Sequence, residues 1–307
     1  MYSIIIPIYN EEETLPALRQ RLVSALASLD QPFEVILVDD GSEDNSFALM
    51  KSIREQDPRF KILRLSRNFG HQIAISAGLD LASGEAVLLM DGDLQDPPEL
   101  LPMMVDRWKE GFEVVYTVKK SRRESRLKRA AFKSFYRVIH AISSVAIPMD
   151  AGNFSLLDRR VVDVLKSMPE RNRYISGMRA WTGFRQTSIL YDRDARFAGD
   201  PRMSFPRLLR LALDGIVSFS DLPLRMAIYL GFFVAFLSFV GGLYVLYAKL
   251  FTDKAILGWA STILSILFVG GMILLTLGVI GEYISRIYEE VKKRPLYIVR
   301  DKMGFGE

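Results

Sequence analysis

Two long stretches without a charged side chain occupy the carboxy-terminal third of the 307-residue chain. They are residues 226–248, "MAIYLGFFVAFLSFVGGLYVLYA", and residues 255–281, "AILGWASTILSILFVGGMILLTLGVIG". The hydrocarbon core of a bilayer is about 30 Å thick, and a helix of ~20 apolar residues crosses it. The buried helices of a soluble core rarely run that far without a charge, so we predict two membrane spans.

The charges beside these stretches predict their orientation. The segment after the second stretch, "RIYEEVKKRPLYIVRDK", is rich in Lys and Arg, whereas the loop "KLFTDK" is short. The positive-inside rule then places both termini in the cytoplasm. The amino terminus, "MYSIIIPIYNEEE", has no basic leader and is not read as a signal peptide. Residues 204–225 mix charges with Leu, Ile and Phe. They predict an amphipathic helix on the cytoplasmic leaflet, or alternatively a helix packed on a soluble core.

The amino-terminal part alternates short apolar runs with charged, helix-like stretches. The runs "YSIIIPIY", "FEVILVDDGS", "FKILRLS", "EAVLLMDGD" and "FEVVYTV" predict five strands, with a helix after each of the first four. Ser42 is predicted to cap the second helix. This alternation predicts a parallel sheet covered on both faces, which binds ligands beyond the carboxyl ends of its strands. The clusters "YNEEE", "DDGS", "SRNFG" and "DGDLQ" follow those ends, so we expect them in one crevice.

The acids predict the chemistry of this crevice. Neither a GxGxxG turn nor a P-loop follows the first strand. The chain has no cysteine and only two histidines, His71 and His140, which argues against a zinc site. Asp91 and Asp93 would point the same way on an extended chain, and carboxylate oxygens suit Mg²⁺ or Mn²⁺. We expect a divalent ion that also contacts a diphosphate. The alternative, that these acids only form a turn, is weakened by the acids at the neighbouring strand ends.

These motifs resemble those of glycosyltransferase family 2, the nucleotide-sugar enzymes of the GT-A fold. The resemblance spans nearly the whole chain and rests on "IIIPIYNEEE", "VILVDDGSEDNS", "SRNFG", "DLQDPPE" and the "GEYI…KKRP" tail. It is greatest to the polyisoprenyl-phosphate glycosyltransferases, such as bactoprenol glucosyltransferases and dolichyl-phosphate mannose synthases. We therefore predict a cytoplasmic, Rossmann-like GT-A catalytic domain over residues 1–203 and a juxtamembrane region over 204–225. Two transmembrane helices over 226–281 and a cytoplasmic tail over 282–307 complete the chain, at the inner or plasma membrane.

The resemblance also implies roles for single residues. The donor would be bound by Pro7, Tyr9, Glu11, Asp40, Asp91, Asp93, Gln95 and Lys119. Of these, Asp91, Asp93 and Gln95 would hold the metal. The acceptor phosphate would meet Arg196, with Arg129, Lys133 and Arg202 as weaker candidates. Family members usually have Arg where this chain has Lys119, and Lys keeps the charge but loses the two-pronged geometry toward phosphate.

Asn153 departs from the family's pattern, because the chain reads "GNF" where the family usually has "GDF". The aspartate is often taken as a catalytic base, and an amide cannot accept a proton at neutral pH. A lipid phosphate is already largely ionised near pH 7, so it needs positioning more than deprotonation. We therefore keep Asn153 with Asp93 as the predicted catalytic residues. The alternative is that Asn153 merely satisfies a turn.

The implied reaction is an inverting transfer of glucose from UDP-glucose to a polyisoprenyl phosphate such as undecaprenyl phosphate. A separate flippase would move the product, and small residues in "SFVGG" and "STILS" allow a homo-oligomer. Two alternatives stay open: another donor sugar, such as mannose or aminoarabinose, and a catalytically impaired sugar-nucleotide binder or scaffold. A processive synthase is disfavoured because "GMRAW" lacks the Gln-x-x-Arg-Trp motif. Nucleic acid is not expected, because the basic run "KKSRRESRLKR" has no interleaved aromatic residue.

Overall fold

The computed structural model describes residues 1–119, 151–191, 222–251 and 258–306. Arg129, Lys133, Arg196 and Arg202 lie outside the described residues, as does residue range 204–221 of the predicted juxtamembrane helix. The chain forms two compact units, one of Met1–Leu209 with Arg294–Glu307 and one of Arg210–Lys293.

The first unit is built on an eight-stranded sheet in the order β7-β5-β6-β4-β1-β2-β3-β8. Its strands are β1 (Tyr2–Ile8), β2 (Phe33–Asp39), β3 (Phe60–Leu65), β4 (Ala86–Leu89), β5 (Val114–Lys119), β6 (Ala151–Asp158), β7 (Gln186–Tyr191) and β8 (Val299–Met303). Its helices are α1 (Leu15–Leu26), α2 (Ser46–Gln56), α3 (His71–Leu81), α4 (Leu101–Lys109), α5 (Arg159–Ser167) and α6 (Ile175–Trp181).

All five strands and four helices predicted for the amino-terminal part are present, but the sheet is mixed rather than purely parallel. The strands β4, β1, β2 and β3 are parallel. Strand β6 inserts between β4 and β5 and runs antiparallel to both. Strand β8, which the sequence did not predict, adds antiparallel to the outer edge of β3. Local alternation of strands and helices cannot report these two long-range pairings.

Both faces of the sheet are buried at β1, whose side chains alternate between two apolar layers. Ile4 and Ile6 pack in the layer that contains α1, α2 and α4. Ile5, between them, packs in the layer that contains α3, α5 and α6. All seven residues of β1 are buried, which explains why its sequence is continuously apolar.

The predicted cap at Ser42 is wrong, because α2 begins four residues later at Ser46, after Asn45. The Ser42 hydroxyl instead accepts a hydrogen bond from the backbone N–H of Asn10, at 3.1 Å. It thereby joins the loop after β2 to the loop after β1.

The second unit contains α7 (Leu222–Phe251) and α8 (Trp259–Val291). By length and composition, both helices can cross a membrane, over Ala227–Tyr244 and Phe268–Val291. Large apolar side chains on both are exposed, among them Phe232 at 72% and Leu274 at 71%. Exposed apolar surface on this scale marks contact with a membrane or another protein.

Candidate active site

A cleft of about 240 Å³ opens at the carboxyl ends of β1 to β4. Its walls are formed by Pro7, Ile8, Tyr9, Glu11, Asp40, Asn68, Gly70, His71, Asp91, Gly92 and Asp93. The structure therefore brings together the four polar clusters that follow the first four strands. Of the eight residues predicted to bind the donor, six line this cleft.

Asp40 ties the end of β2 to the loop after β3. It is 3% exposed, and its carboxylate accepts hydrogen bonds from the backbone N–H groups of Phe69 (2.7 Å) and Gly70 (2.9 Å). Burial raises the pKa of Asp40, and these two bonds lower it by less, so the net shift is upward. The carboxylate thus fixes the part of the loop that contributes Asn68 and Gly70 to the cleft.

Gly41 makes this junction sterically possible. Its φ of +74° lies in the left-handed region, which disfavours any side chain. A Cβ atom there would lie 2.5 Å from the carbonyl carbon of Arg67 and 2.6 Å from the backbone nitrogen of Asn68. The glycine of the "DDGS" motif is therefore needed for the close approach of two loops.

Asp91 and Asp93 both line the cleft, although not for the reason that the sequence predicted. The chain is not extended here, because it turns after β4 and Leu94 takes a φ of +57°. The Asp93 carboxylate accepts a hydrogen bond from the backbone N–H of Gln95 at 3.1 Å, which stabilises the turn. The turn, rather than strand alternation, directs both acids to the cleft. The alternative interpretation, that these acids form a turn, therefore holds for Asp93. Asp93 also lines the cleft, as predicted for a residue that binds the donor.

The carboxylates fit a divalent ion only as a site that substrate completes. Within the described ranges, no three acidic or histidine side chains form a ready-made metal site. Mg²⁺ commonly uses one or two carboxylates together with substrate phosphates and water, and Asp91 and Asp93 can supply the carboxylates. Gln95 does not line the cleft, and its role as a ligand stays a prediction. Lys119 is the last residue of β5, and its contact with the donor stays a prediction.

His71 also lines this cleft, a position that was not predicted from the sequence. It is the first residue of α3, and its Nε2 lies 2.8 Å from Oδ1 of Asp91. Burial lowers the pKa of His71, but the bond to Asp91 and the charges of Asp91, Asp40 and Asp93 outweigh it, and the pKa is raised. A signal was available in "SRNFGH", where a histidine follows a strand-end loop at the start of a helix.

Asn153 lies in strand β6, so the alternative interpretation, that it merely satisfies a turn, is wrong. Its Nδ2 is 3.5 Å from Nδ1 of His71. Its Oδ1 accepts from the Ser176 hydroxyl at 3.2 Å and, more weakly, from Nε2 of Gln72 at 3.4 Å. Gln72 in turn accepts from the backbone N–H of Ile175 at 2.9 Å. Asn153 is thus connected through His71 to Asp91, and through Gln72 and Ser176 to the start of α6.

Comparison with protein families gives two matches on this chain. The profile of Glycosyl transferase family 2 matches residues 3–165, which hold the cleft and Asn153. The profile described as the GtrB C-terminal hairpin matches residues 222–287, which cover α7 and most of α8.

Individual relatives extend the similarity over the whole chain. The uncharacterized glycosyltransferase YkcC of Bacillus subtilis is 46% identical over 304 residues, covering 99% of this chain and 94% of its own length. The SfII prophage-derived bactoprenol glucosyl transferase of Shigella flexneri is 38% identical, covering 97% of each chain. A solved structure, glucosyl-3-phosphoglycerate synthase of M. tuberculosis, aligns with a TM-score of 0.49 at 17% identity, over 71% of this chain and 80% of that one.

Proposed function

The chain belongs to glycosyl transferase family 2 and is a glycosyltransferase, and we propose that it transfers glucose from UDP-glucose to a polyisoprenyl phosphate. The choice of sugar and acceptor rests on the relatives named bactoprenol glucosyl transferase, at 38% identity over nearly the full length. The observation that carries the proposal is the cleft itself. Four carboxylates line it, and Asp91 contacts His71 at 2.8 Å, which in turn lies 3.5 Å from the Asn153 amide.

The donor nucleotide occupies the part of the cleft between β1 and the loops after β2 and β3. Tyr9, Glu11 and Asp40 line that part, together with Asn68. Asp40 is held in place by two backbone N–H groups, so it presents a fixed oxygen pair to the nucleoside. A fixed set of polar groups selects a ligand better than a mobile set, because less conformational entropy is lost on binding.

The diphosphate lies toward Asp91 and Asp93. Four acidic side chains facing an anionic ligand need a compensating cation, and this supports use of Mg²⁺ or Mn²⁺. When bound, such an ion would neutralise the charge that grows on the departing diphosphate. Asp91 and Asp93 would hold it, with Gln95 as a further predicted ligand. His71 orients Asp91 for this role through its 2.8 Å contact.

The transfer is a single displacement. An oxygen of the acceptor phosphate bonds to C1 of the sugar while the bond from C1 to UDP breaks, and UDP leaves with the electron pair. The attacking oxygen is already ionised, so no base is required. Asn153 positions the acceptor, since its side chain is fixed by contacts to His71, Ser176 and Gln72.

The two long helices hold the enzyme at the membrane that contains its acceptor. We propose that both termini and the catalytic domain face the cytoplasm, as the basic residues after residue 285 favour. A homo-oligomer and a separate flippase stay predictions from the sequence alone.

A panel of donors tests this function. The full-length protein is incubated with undecaprenyl phosphate, Mn²⁺ and one radiolabelled nucleotide sugar at a time, and the organic phase is counted. UDP-glucose is expected to give labelled lipid. Label from a mannose or aminoarabinose donor instead would correct the sugar. Binding of UDP-glucose without labelled lipid would favour the impaired, scaffold-like alternative.

A further inference from the structure

Arg179 is a buried cation to which the proposed function assigns no role. It lies on α6 and is 1% exposed. Its Nη1 makes one long contact, of 3.5 Å, to the carbonyl oxygen of Gly152, and its Nε and Nη2 have no hydrogen-bond partner. The guanidinium carbon lies 5.1 Å from the centroid of the Tyr116 ring. In the described part of the chain, no carboxylate forms an ion pair with it.

Two other arginines of the same unit, the buried Arg173 and the partly buried Arg159, donate to several acceptors within the fold. Arg173 donates to the hydroxyl of Ser76 and to the carbonyl oxygens of Met168 and Leu165. Arg159 donates to the carbonyl oxygens of Gly84 and Ala82. These two guanidinium groups therefore have several acceptors within the fold, whereas Arg179 has one long contact and two donors without a partner.

An unpaired buried charge opposes folding, so its presence calls for a ligand. Burial lowers the pKa of Arg179 to about 10, which leaves the guanidinium charged at neutral pH. Removing a charge from water costs free energy that only a counter-charge or hydrogen bonds return. Here the ring of Tyr116 and one distant carbonyl return little of it. An anion with two oxygens would satisfy both Nε and Nη2.

We propose that Arg179 binds the phosphate of the lipid acceptor. The inference deepens the proposed function and rests on it. Arg179 contacts Gly152, the residue next in sequence to Asn153, which positions the acceptor in the proposed function. Nε and Nη2 are two free donors of one planar fork, which matches two phosphate oxygens. Because the side chain is covered without a ligand, binding of the phosphate must uncover it.

The stability of the ligand-free protein gives the first test. Arg179→Met removes an unpaired charge and keeps much of the volume, so its melting temperature is expected to equal or exceed that of the wild type. Arg173→Met removes a guanidinium with three partners and is expected to melt lower. If Arg179→Met melts as low as Arg173→Met, Arg179 has a structural role and the proposal is wrong.

Anion binding gives the second test, and it needs no turnover. Inorganic phosphate is expected to raise the melting temperature of the wild type but not that of Arg179→Met. UDP, which reports on the donor cleft, is expected to raise both equally. Equal stabilisation of the two proteins by phosphate would overturn the proposal. So would a loss of the UDP effect in Arg179→Met, because the anion would then be the donor diphosphate.

The KM values for the two substrates distinguish a loss of acceptor binding from a loss of donor binding. Arg179→Met is expected to raise the KM for undecaprenyl phosphate about 10- to 100-fold, the loss typical of hydrogen bonds to a charged group. The KM for UDP-glucose should change by less than about twofold. The acceptor KM of Arg179→Lys should lie between those of Arg179→Met and the wild type.

Arg107→Met, at a surface residue paired with Glu110, is the control, and both of its KM values should match those of the wild type. An unchanged acceptor KM in Arg179→Met contradicts the proposal. If the wild type itself makes no lipid product, the proposed function fails, while the phosphate test still decides the role of Arg179.

Discussion

Replacement of Gly41 by alanine tests how the cleft is built. Two costs follow from the structure. The first is the left-handed backbone, at a φ of +74°, which costs an alanine about 1–2 kcal/mol. The second is the clash of the new Cβ with backbone atoms of Arg67 and Asn68, at 2.5 and 2.6 Å. Overpacking of this kind costs about 1–3 kcal/mol, and backbone atoms cannot move aside as a flexible side chain can.

Gly183 provides a matched control for the first cost alone. Its φ is +72°, and no atom lies within 4 Å of where its Cβ would be. The free energy of unfolding of Gly183→Ala should therefore fall only by the cost of the left-handed backbone, about 1–2 kcal/mol. That of Gly41→Ala should fall by about 1–3 kcal/mol more, because of the clash. For a domain of this size, each 1 kcal/mol lowers the melting temperature by about 2–4 °C.

The two variants should also differ in ligand binding. The clash displaces the loop that brings Asn68 and Gly70 to the cleft, so Gly41→Ala should bind UDP at least about tenfold more weakly, as a loss of roughly 1.4 kcal/mol implies. Gly183→Ala should bind UDP like the wild type. Thermal unfolding and calorimetric titration of the full-length proteins measure both effects. Equal melting temperatures and equal UDP affinities in the two variants would refute the reasoning.

Three further predictions concern charge and hydrogen bonding. Asp93→Ala should abolish transfer of labelled sugar into the organic phase, and a full rate would show that the metal assignment is wrong. Asn153→Asp should not accelerate transfer at pH 7, because the acceptor phosphate is already ionised; an increase of about tenfold or more would show that a missing base limits the rate. Glu34→Gln should lower the free energy of unfolding at pH 7 by about 1–3 kcal/mol, because the buried carboxylate loses its 2.5 Å ion pair with Lys61. Burial raises the pKa of Glu34, but the bonds from Lys61, Ser3 and Ser83 lower it by more. The Glu34 carboxylate therefore stabilises the fold above the usual pKa of a glutamate. This stabilisation is lost as the pH falls through the lowered pKa of Glu34 in the folded protein. Denaturant titrations should show the Glu34→Gln deficit shrinking below about pH 4, and a deficit independent of pH would contradict this.

The sequence predicts the part of the site that depends on neighbouring strands. Each apolar run is short and each polar cluster follows directly, so parallel pairing brings the loops that contain Tyr9, Asp40 and Asp91 to one edge. The prediction of the two long apolar helices is equally local, since it needs only their length and their lack of charge.

The remainder depends on contacts between distant parts of the chain. Strand β6 lies between β4 and β5, although 31 residues outside the described ranges separate it from β5 in the sequence. Strand β8 comes after α8 in the sequence but pairs with β3. The contact of His71 to Asn153 joins residues 82 positions apart. The lack of partners at Arg179 is visible only once its surroundings are known. No local periodicity carries such information.

The stereochemistry of the lipid product tests the central claim most directly. UDP-glucose labelled with ¹³C at C1 is converted by the full-length protein in the presence of undecaprenyl phosphate and Mn²⁺, and the extracted lipid is examined by NMR. A single displacement by the acceptor phosphate predicts one new signal, from glucose joined to phosphate in the β configuration. Product in the α configuration would contradict the single displacement, and the absence of any glucosyl lipid would contradict the proposed reaction as a whole.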